Sequence, residues 1–275
     1  MTQLQLKHQC LDLTHPQVMG ILNVTTDSFS DGGLFIDHDL AKKQAERMLS
    51  EGASIIDVGG ESTRPGAAPV SEQEELDRVI PIIEWLSDIT DVSIDTSKAI
   101  VMTEAIKAGA AMVNDVCALQ NEGALAAVAA HDVPVCLMHM QGTPRTMQAD
   151  PTYVDVVRDI MSFFTYRIAA CEEAGIMRER LILDPGFGFG KTAKHNVALL
   201  NRLRELQALE LPVLAGLSRK SLIAEVIDKP AHERMAASVA LAIKAWQEGA
   251  VIIRVHDVAE TVDALRMLDF VKTTD

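Results

Sequence analysis

Short runs of aliphatic residues recur along the whole chain, and a longer stretch with helical apolar spacing follows most of them. Runs of this kind, apolar on both faces, are typical of strands in a parallel sheet that is covered by helices. The alternation therefore predicts a repeated strand–helix unit. The predicted strands are Val18–Leu22, Ser54–Val58, Val92–Asp95, Ala111–Asn114, Val133–Met138, Leu181–Asp184, Val213–Gly216 and Val251–Val255.

The stretches between these strands are amphipathic and predict the helices of the fold. They include Asp39–Glu51, Ser71–Ser87, Ser97–Ala108, Tyr153–Ala174, Ala198–Leu209, Met235–Glu248 and Val258–Phe270. Eight strands with helical returns predict an α/β fold of the (β/α)8 type, a TIM barrel. We expect one domain over residues 1–275, in which residues 1–17 form an N-terminal lead-in. An open, doubly wound sheet is the alternative fold.

Polar residues stand at or just beyond the carboxyl end of every predicted strand, which chance would hardly produce. In chain order they are Asn23, Asp57, Asp95, Asn114, His139, Asp184, Lys220 and Arg254. Barrel enzymes carry their active sites at this face. The sequence therefore predicts a site that is assembled from the strand ends.

Residues 181–191, Leu-Ile-Leu-Asp-Pro-Gly-Phe-Gly-Phe-Gly-Lys, run a buried strand into a glycine-rich loop. The alternating glycines allow the backbone to approach a flat or charged ligand closely. The loop is neither a P-loop nor a dinucleotide fingerprint, because Pro185 and Lys191 stand where those patterns require glycine. We therefore expect Lys191 to be a solvated residue at the start of the next helix.

Two connections, residues 23–37 and 59–70, are long, polar and glycine-rich. Loops at the catalytic face of a barrel are commonly functional, so we expect both to close over a ligand. The alternative is that each loop is only a surface connection without a functional role.

A cluster of basic residues follows the seventh and eighth strands, namely Arg219, Lys220, Arg254 and His256. Barrels commonly bind phosphate at these loops, and Arg64 from the second long loop is a further candidate. Because adjacent residues need not share a face, we expect Lys220 rather than Arg219 to lie in the site.

Asp95, Asn114 and Asp184 form a second group of candidates on the third, fourth and sixth strands. Two carboxylates can act as general acid and base, or they can bind a divalent metal. Carboxylates and amides also recognise flat heterocycles that present paired N–H donors. A helix cap or an internal salt bridge is the alternative role of each residue, and Asp115 fits a cap better than Asn114 does.

Asp57 and His139 are interpreted as supporting residues of the same face. We expect Asp57 to hold an arginine or lysine side chain in place at the barrel mouth. His139 fits either a ligand contact or a structural role, and we favour the structural role.

Composition limits the partners and the compartment. The formal net charge of −14 argues against nucleic acid or an anionic membrane surface as a partner. Residues 1–9 lack the apolar core of a signal peptide and no apolar run would span a bilayer, so we expect a cytoplasmic protein. The four cysteines form no C-x-x-C pair and are interpreted as reduced thiols that fill space.

Eight segments carry a more specific signal, and they follow one another over nearly the whole chain. They are MGILNVTTDSFSDGG at 19–33, IDVGGESTRPG at 56–66, SIDTS at 93–97, ND at 114–115, LMHMQG at 137–142, DPGFGFGK at 184–191, SRKS at 218–221 and IRVHD at 253–257. In this order they closely resemble the dihydropteroate synthase family, the folate-pathway enzymes targeted by sulfonamides. Thr26 stands where many members carry proline, which leaves Asn23 and Asp27 of the first loop in place.

The resemblance implies a transferase that converts 6-hydroxymethyl-7,8-dihydropterin pyrophosphate and 4-aminobenzoate into 7,8-dihydropteroate and pyrophosphate. It assigns the pterin to Asp95, Asn114, Asp184 and Lys220. It assigns the pyrophosphate to Asn23, Arg254 and His256, with Mg²⁺ bridging the pyrophosphate oxygens and Asn23. It assigns the aminobenzoate pocket to Thr63, Arg64, Pro65, Phe189, Lys220 and Ser221.

By the same analogy Asp95, Lys220, Arg254 and His256 are the catalytic residues. Asp95 would stabilise positive charge on the pterin while pyrophosphate departs in an SN1-like step, assisted by Mg²⁺, Arg254 and His256. The arylamine then needs no strong general base. The resemblance also implies a homodimer, formed through helices near the C-terminus.

Three other classes remain as alternatives. A corrinoid-linked methyltransferase domain that binds a pterin shares the barrel and the pterin aspartates, but it has less need of the phosphate cluster. A non-catalytic pterin-binding protein would not need Asn23, Arg64 and Lys220 together with that cluster. A sugar-phosphate lyase would need a Schiff-base lysine inside a strand, and the eight predicted strands contain none.

Overall fold

Eight parallel strands form a barrel at the centre of the structure, a computed structural model that describes residues 1–25, 38–62, 68–144 and 146–273. The strands are β3 (Gln17–Asn23), β4 (Ile55–Gly59), β5 (Val92–Asp95), β6 (Met112–Asp115), β7 (Val135–Met138), β8 (Leu181–Asp184), β9 (Leu214–Ala215) and β10 (Ile252–Val255). Their hydrogen-bonded order is β8-β7-β6-β5-β4-β3-β10-β9, and a parallel bridge between Leu183 and Val213 joins β8 to β9. The sheet closes on itself, so the predicted TIM barrel is confirmed.

Helices cover the outside of the barrel between successive strands. They are α1 (His38–Ser50), α2 (Glu72–Leu86), α3 (Ala99–Lys107), α4 (Ala124–Ala129), α5 (Val156–Glu173), α6 (Ala193–Asn201), α7 (Ser221–Ala224), α8 (Met235–Gln247) and α9 (Val258–Thr273). One predicted helix, Ala198–Leu209, is wrong in its bounds. Thr192 caps α6 through a reciprocal pair of hydrogen bonds with His195, so the helix begins earlier than its apolar pattern suggests. The rest of that segment is a separate 3₁₀-helix, Leu203–Leu209.

The N-terminal lead-in has a structure that the sequence analysis did not predict. Strands β1 (Gln3–Gln5) and β2 (Cys10–Asp12) form an antiparallel hairpin in which Leu4 lies opposite Leu11. Four leucines of this segment, Leu4, Leu6, Leu11 and Leu13, pack with residues near the amino ends of the barrel strands, such as Met19 and Ile55. The hairpin therefore closes the amino end of the barrel with apolar side chains.

A larger apolar core lies between the barrel and its helices. With both layers apolar and the amino end filled, the polar residues of the strands collect at the carboxyl rim. The four cysteines are free, as expected, but only Cys136 and Cys171 are buried and fill space, whereas Cys10 is exposed. Within the described residues, no helix has both the length and the apolar character to cross a bilayer.

Candidate active site

The centre of the carboxyl rim is an arginine between two carboxylates. The guanidinium of Arg254, on β10, donates from Nε to Oδ2 of Asp57 at 2.6 Å and from Nη2 to Oδ2 of Asp95 at 2.7 Å. Asp57 is fully buried on β4, and Asn114 on β6 donates to the same Oδ2 atom at 3.0 Å. The prediction that Asp57 holds a basic side chain is confirmed. The other oxygen of Asp57 is buried without a hydrogen-bond partner among the described residues.

Asp184 lies at the end of β8, where the strand turns into the glycine-rich loop. One of its oxygens accepts a hydrogen bond from the backbone N–H of Gly186 at 2.7 Å, and the residue is 4 % exposed. Asn114, which the sequence groups with it, is also 4 % exposed. The strand order brings Asp95, Asn114 and Asp184 to the same end of the barrel, on three of four consecutive strands.

Lys220 enters the site from the turn after β9. Its ammonium donates to the backbone carbonyl of Phe187 and lies 4.6 Å from the centre of the Phe189 ring. A Cβ on Gly188 would lie 3.2 Å from the Lys220 stem, so the glycine gives that stem its room. Ser221 follows as the exposed first residue of α7. The loop after β8 and the turn after β9 thus share one wall.

The guanidinium of Arg219 pairs with Asp257, the residue after His256. This pairing agrees with the preference for Lys220 as the basic residue of that turn in the site. His256, the first residue after β10, shares a 3.0 Å hydrogen bond between its Nδ1 atom and the Ser218 hydroxyl. His256 is half-buried and stands two residues after Arg254.

The two long loops are described only at their bases. Asn23 is half-buried at the end of β3, and a Cβ on Gly59 would lie 3.8 Å from its Oδ1 atom and 3.7 Å from Oδ2 of Asp95. The absent side chain of Gly59 therefore leaves space beside two oxygen atoms. Residues 26–37 and the predicted pocket residues Thr63, Arg64 and Pro65 lie outside the described residues.

A partly buried ion cluster that the sequence analysis missed fixes the base of the second loop. The ammonium of Lys98 pairs with Glu61 at 2.6 Å and with Glu75, and the Glu75 side chain is 1 % exposed. Arg78 donates to the carbonyl of Gly60 at 2.6 Å from the same helix as Glu75. These contacts tie the end of β4 to α2 and to the start of α3.

Three predictions about supporting residues have clear outcomes. Asp115 accepts from the backbone N–H groups of Cys117 and Leu119 at 2.7 Å each, so it caps the turn after β6 and not a helix. His139 is buried and structural, as favoured. The prediction for Lys191 is wrong, because this residue is 3 % exposed and its ammonium lies 3.0 Å from Nδ1 of His139. Carbonyl oxygens of the loop satisfy the charge that we had placed in solvent.

Burial raises the pKa of the two carboxylates of the site and lowers the pKa of its lysine. Desolvation raises the pKa of Asp95 to about 7, an effect that Arg254 opposes and Asp57 reinforces. Desolvation also raises the pKa of Asp184, against the influence of Lys220. It lowers the pKa of Lys220 to about 8, with Asp184 opposing. Groups perturbed in this way, gathered at a barrel rim, are typical of a catalytic site.

The fold and the site together define a class, a barrel enzyme whose ligand site lies at the carboxyl ends of its strands. The model of the pterin-binding enzyme family matches residues 19–256, which include all of the barrel strands except the first two residues of β3. The chain belongs to the pterin-binding enzyme family.

Individual relatives show which group within the family the chain resembles. The chain is 54 % identical over 267 residues to the dihydropteroate synthase of Haemophilus influenzae, covering 96 % of this chain and 97 % of the relative. A dihydropteroate synthase from Yersinia pestis, solved as a sulfonamide drug complex, matches with a TM-score of 0.95 and 53 % identity over 98 % of this chain and 99 % of that chain. The enzyme of Xanthomonas albilineans, solved with 4-aminobenzoic acid, matches with a TM-score of 0.93 and 50 % identity over 98 % of both chains. Within its family, the chain groups with the dihydropteroate synthases.

Proposed function

We propose that this chain catalyses the condensation of 6-hydroxymethyl-7,8-dihydropterin pyrophosphate with 4-aminobenzoate to 7,8-dihydropteroate and pyrophosphate. The observation that carries the proposal is the pairing of buried carboxylates with basic side chains at one rim, in a chain 54 % identical to a dihydropteroate synthase over nearly its full length. The buried carboxylate and amide oxygens can accept hydrogen bonds from the N–H groups of a pterin, and the basic side chains at the carboxyl rim can bind a pyrophosphate.

The pterin end of the substrate would bind among Asp95, Asn114, Asp184 and Lys220. Asp184 keeps a carboxylate oxygen for the amino group and ring N–H of the pterin, since only Oδ1 is given to the loop backbone. A buried acceptor of this kind discriminates strongly against rings that lack the matching donors. Lys220, held at the carbonyl of Phe187, adds a donor and a positive charge to the site.

The pyrophosphate would bind at Arg254, His256 and Asn23. Arg254 has a planar fork of donors, which it now divides between Asp57 and Asp95. His256 reaches the same end of the barrel from the turn after β10.

Mg²⁺ fits the chemistry of this corner. The amide oxygen of Asn23 faces the space beside Gly59, and Mg²⁺ prefers a few protein oxygens completed by substrate phosphate oxygens and water. When bound, Mg²⁺ would neutralise charge on the departing pyrophosphate.

The reaction then requires charge stabilisation more than proton transfer. The bond between the pterin methylene carbon and the pyrophosphate oxygen breaks, and its electron pair leaves with the pyrophosphate toward Arg254 and His256. Asp95 stabilises the positive charge that spreads from the methylene into the ring. The nitrogen of 4-aminobenzoate donates its lone pair to form the new C–N bond and loses a proton to water. Phe189, Lys220 and Ser221 line the side from which the arylamine approaches.

The direct test is pyrophosphate release from the purified protein with the pterin pyrophosphate, Mg²⁺ and 4-aminobenzoate. We expect release that requires both the metal and the arylamine and that collapses in Lys220→Ala and Asp184→Ala variants. Tight binding of the pterin without release would contradict the proposal and would favour a methyltransferase domain or a binding protein.

The pH profile of kcat/KM provides a second prediction. Asp95 must be ionised to stabilise positive charge, so activity should rise as pH increases through about 7. Lys220 must be protonated, so activity should fall as pH increases through about 8. The optimum therefore lies between these values, and Lys220→Arg should retain more of its activity above pH 8. A wild-type profile that is flat from about pH 6 to 9 would contradict these assignments.

We further propose a cytoplasmic homodimer that pairs through the C-terminal helices. Met267, Phe270 and Val271 are 59 %, 63 % and 51 % exposed, and their spacing puts them along one face of α9. Light scattering of the full chain tests this proposal, and a monomer mass at micromolar concentration would contradict it.

A further inference from the structure

The loop at residues 186–190 has side-chain hydrogen bonds on all of its carbonyl groups. Lys191 donates to the carbonyls of residues 186 and 189, Lys220 to that of 187, Gln148 to that of 188 and Tyr153 to that of 190. The three glycines of the loop have φ values of +67°, +82° and +61°, which side chains rarely tolerate. Since helix and sheet bonds do not hold such a backbone, these side chains define its conformation.

Lys191 is the centre of this arrangement. Its ammonium lies 2.9 Å from the Gly186 carbonyl, 3.0 Å from the Phe189 carbonyl and 3.0 Å from Nδ1 of His139. Three close acceptors match the three N–H donors of an ammonium. A buried lysine is normally paired with a carboxylate, yet in the described part of the chain no carboxylate forms an ion pair with Lys191. Carbonyl dipoles and a ring nitrogen bind it instead. Burial lowers the pKa of Lys191 to about 7, against the attraction of Asp184, so the ammonium predominates below that pH.

The histidine that faces this ammonium is neutral. Burial and the nearby ammonium of Lys191 lower the pKa of His139 to about 3, so its Nδ1 lone pair can accept the hydrogen bond. The His139 backbone N–H donates to the carbonyl of Asp184 at 2.9 Å, and the ring packs edge-on against Phe163. The ammonium therefore joins the loop to the ends of β7 and β8, two strands of the site.

We propose that Lys191 is a positioning residue of this enzyme, whose buried ammonium sets the loop so that Phe189 and Lys220 meet the arylamine substrate. The contacts run from Lys191 to the Phe189 carbonyl, from the Phe189 ring to the Lys220 ammonium, and from Lys220 back to the Phe187 carbonyl. Lys191 itself is 3 % exposed, so it acts through these two residues and does not touch the substrate. The identity of the arylamine rests on the function proposed above.

The test compares Lys191→Met with Lys194→Met, which changes an exposed lysine three residues further along the chain, in the first turn of α6. Lys191→Met keeps an unbranched side chain that is one atom shorter and removes its donors. We expect the KM for 4-aminobenzoate to rise about tenfold or more, because the loop wall shifts. The affinity for the pterin pyrophosphate, measured by calorimetry, should fall by a smaller factor than the KM rises, because Asp95 and Asn114 stay on their strands and only Asp184 and Lys220 are bonded to the loop. Lys194→Met should match the wild type in both.

An unchanged KM for 4-aminobenzoate would overturn the proposal, and so would an equal loss for both ligands, which would show general damage to the site. If Lys191→Met does not fold, Lys191→Gln keeps an amide group with two N–H donors and should show the same selective loss at smaller amplitude. No selective loss would again overturn the proposal. Hydrogen exchange of the amides at 186–190 provides a readout without turnover. It should be faster in Lys191→Met than in Lys194→Met, and equal rates would contradict the positioning role. An inactive wild type would refute the proposed function, while the exchange rates would still test the role of Lys191 in the loop.

Discussion

Replacing Arg254 by methionine is expected to lower the free energy of unfolding by about 3–5 kcal/mol and to abolish detectable pyrophosphate release. Arg254 neutralises Asp57, which is fully buried, and Asp95, whose side chain is 14 % exposed. Methionine fills similar space but leaves both carboxylates without their countercharge. The same change removes the donors that we assign to the leaving pyrophosphate, so stability and activity fall together.

Two further variants separate these effects. Arg254→Lys keeps the charge but has no planar fork to bridge two carboxylates, so we expect an intermediate loss of stability. Arg254→Met combined with Asp57→Asn removes one orphaned charge and should regain part of the stability without regaining activity. Chemical denaturation of the wild type, the two single variants and the double variant measures their free energies of unfolding. Wild-type stability in the single Arg254→Met variant would show that the pair is dispensable to the fold.

Replacing Gly186 by alanine is expected to cost about 3 kcal/mol or more and to remove most activity. The glycine has a φ of +67°, and an added Cβ would overlap the carbonyl oxygen of His139 and lie 3.1 Å from its carbonyl carbon. Backbone atoms cannot move aside as a flexible side chain can. The loop would therefore shift away from β7 and pull on Asp184, which is bonded to the Gly186 N–H.

Gly175→Ala is the matched control for this prediction. Gly175 also has a positive φ, +88°, but a Cβ there would meet nothing within 4 Å. The control therefore carries only the strain of the left-handed backbone, about 1–2 kcal/mol, and should keep its activity. Thermal unfolding and pyrophosphate release measured on both variants test the comparison. Equal effects at the two glycines would show that the crowding at Gly186 is unimportant.

The barrel could be predicted from the chain because each of its strands is a short aliphatic run that ends in a polar residue. Strands β5 and β8 have the predicted bounds, and the others agree to within a few residues. The N-terminal hairpin was missed because each of its strands has only three residues. A signal was nevertheless present, since leucines alternate at positions 4, 6, 11 and 13, which is the spacing of a half-buried strand pair.

Much of the candidate site could also be predicted, because a parallel barrel brings the carboxyl ends of its strands to one rim. That rule is sufficient for Asp95, Asn114, Asp184 and Arg254. It says nothing of Lys191, since a lysine after a glycine loop reads as a solvated residue in a helical first turn. Its burial depends on carbonyl groups that converge from 186, 189 and 139, and only the folded backbone shows this convergence. The Lys98 cluster was missed for the same reason, because its partners lie on separate elements.

The strand pairing between β8 and β9 is short. Strand β9 has two residues, and a single bridge, Leu183 to Val213, connects it to β8. Asp184 ends β8 and Lys220 follows β9, while the Lys220 ammonium reaches across to the Phe187 carbonyl. Any opening that parts these two strands must also divide the site. A substrate held by both Asp184 and Lys220 would consequently connect β8 and β9 where few backbone contacts do so. Binding of that substrate would then stabilise the closed barrel by the free energy of binding.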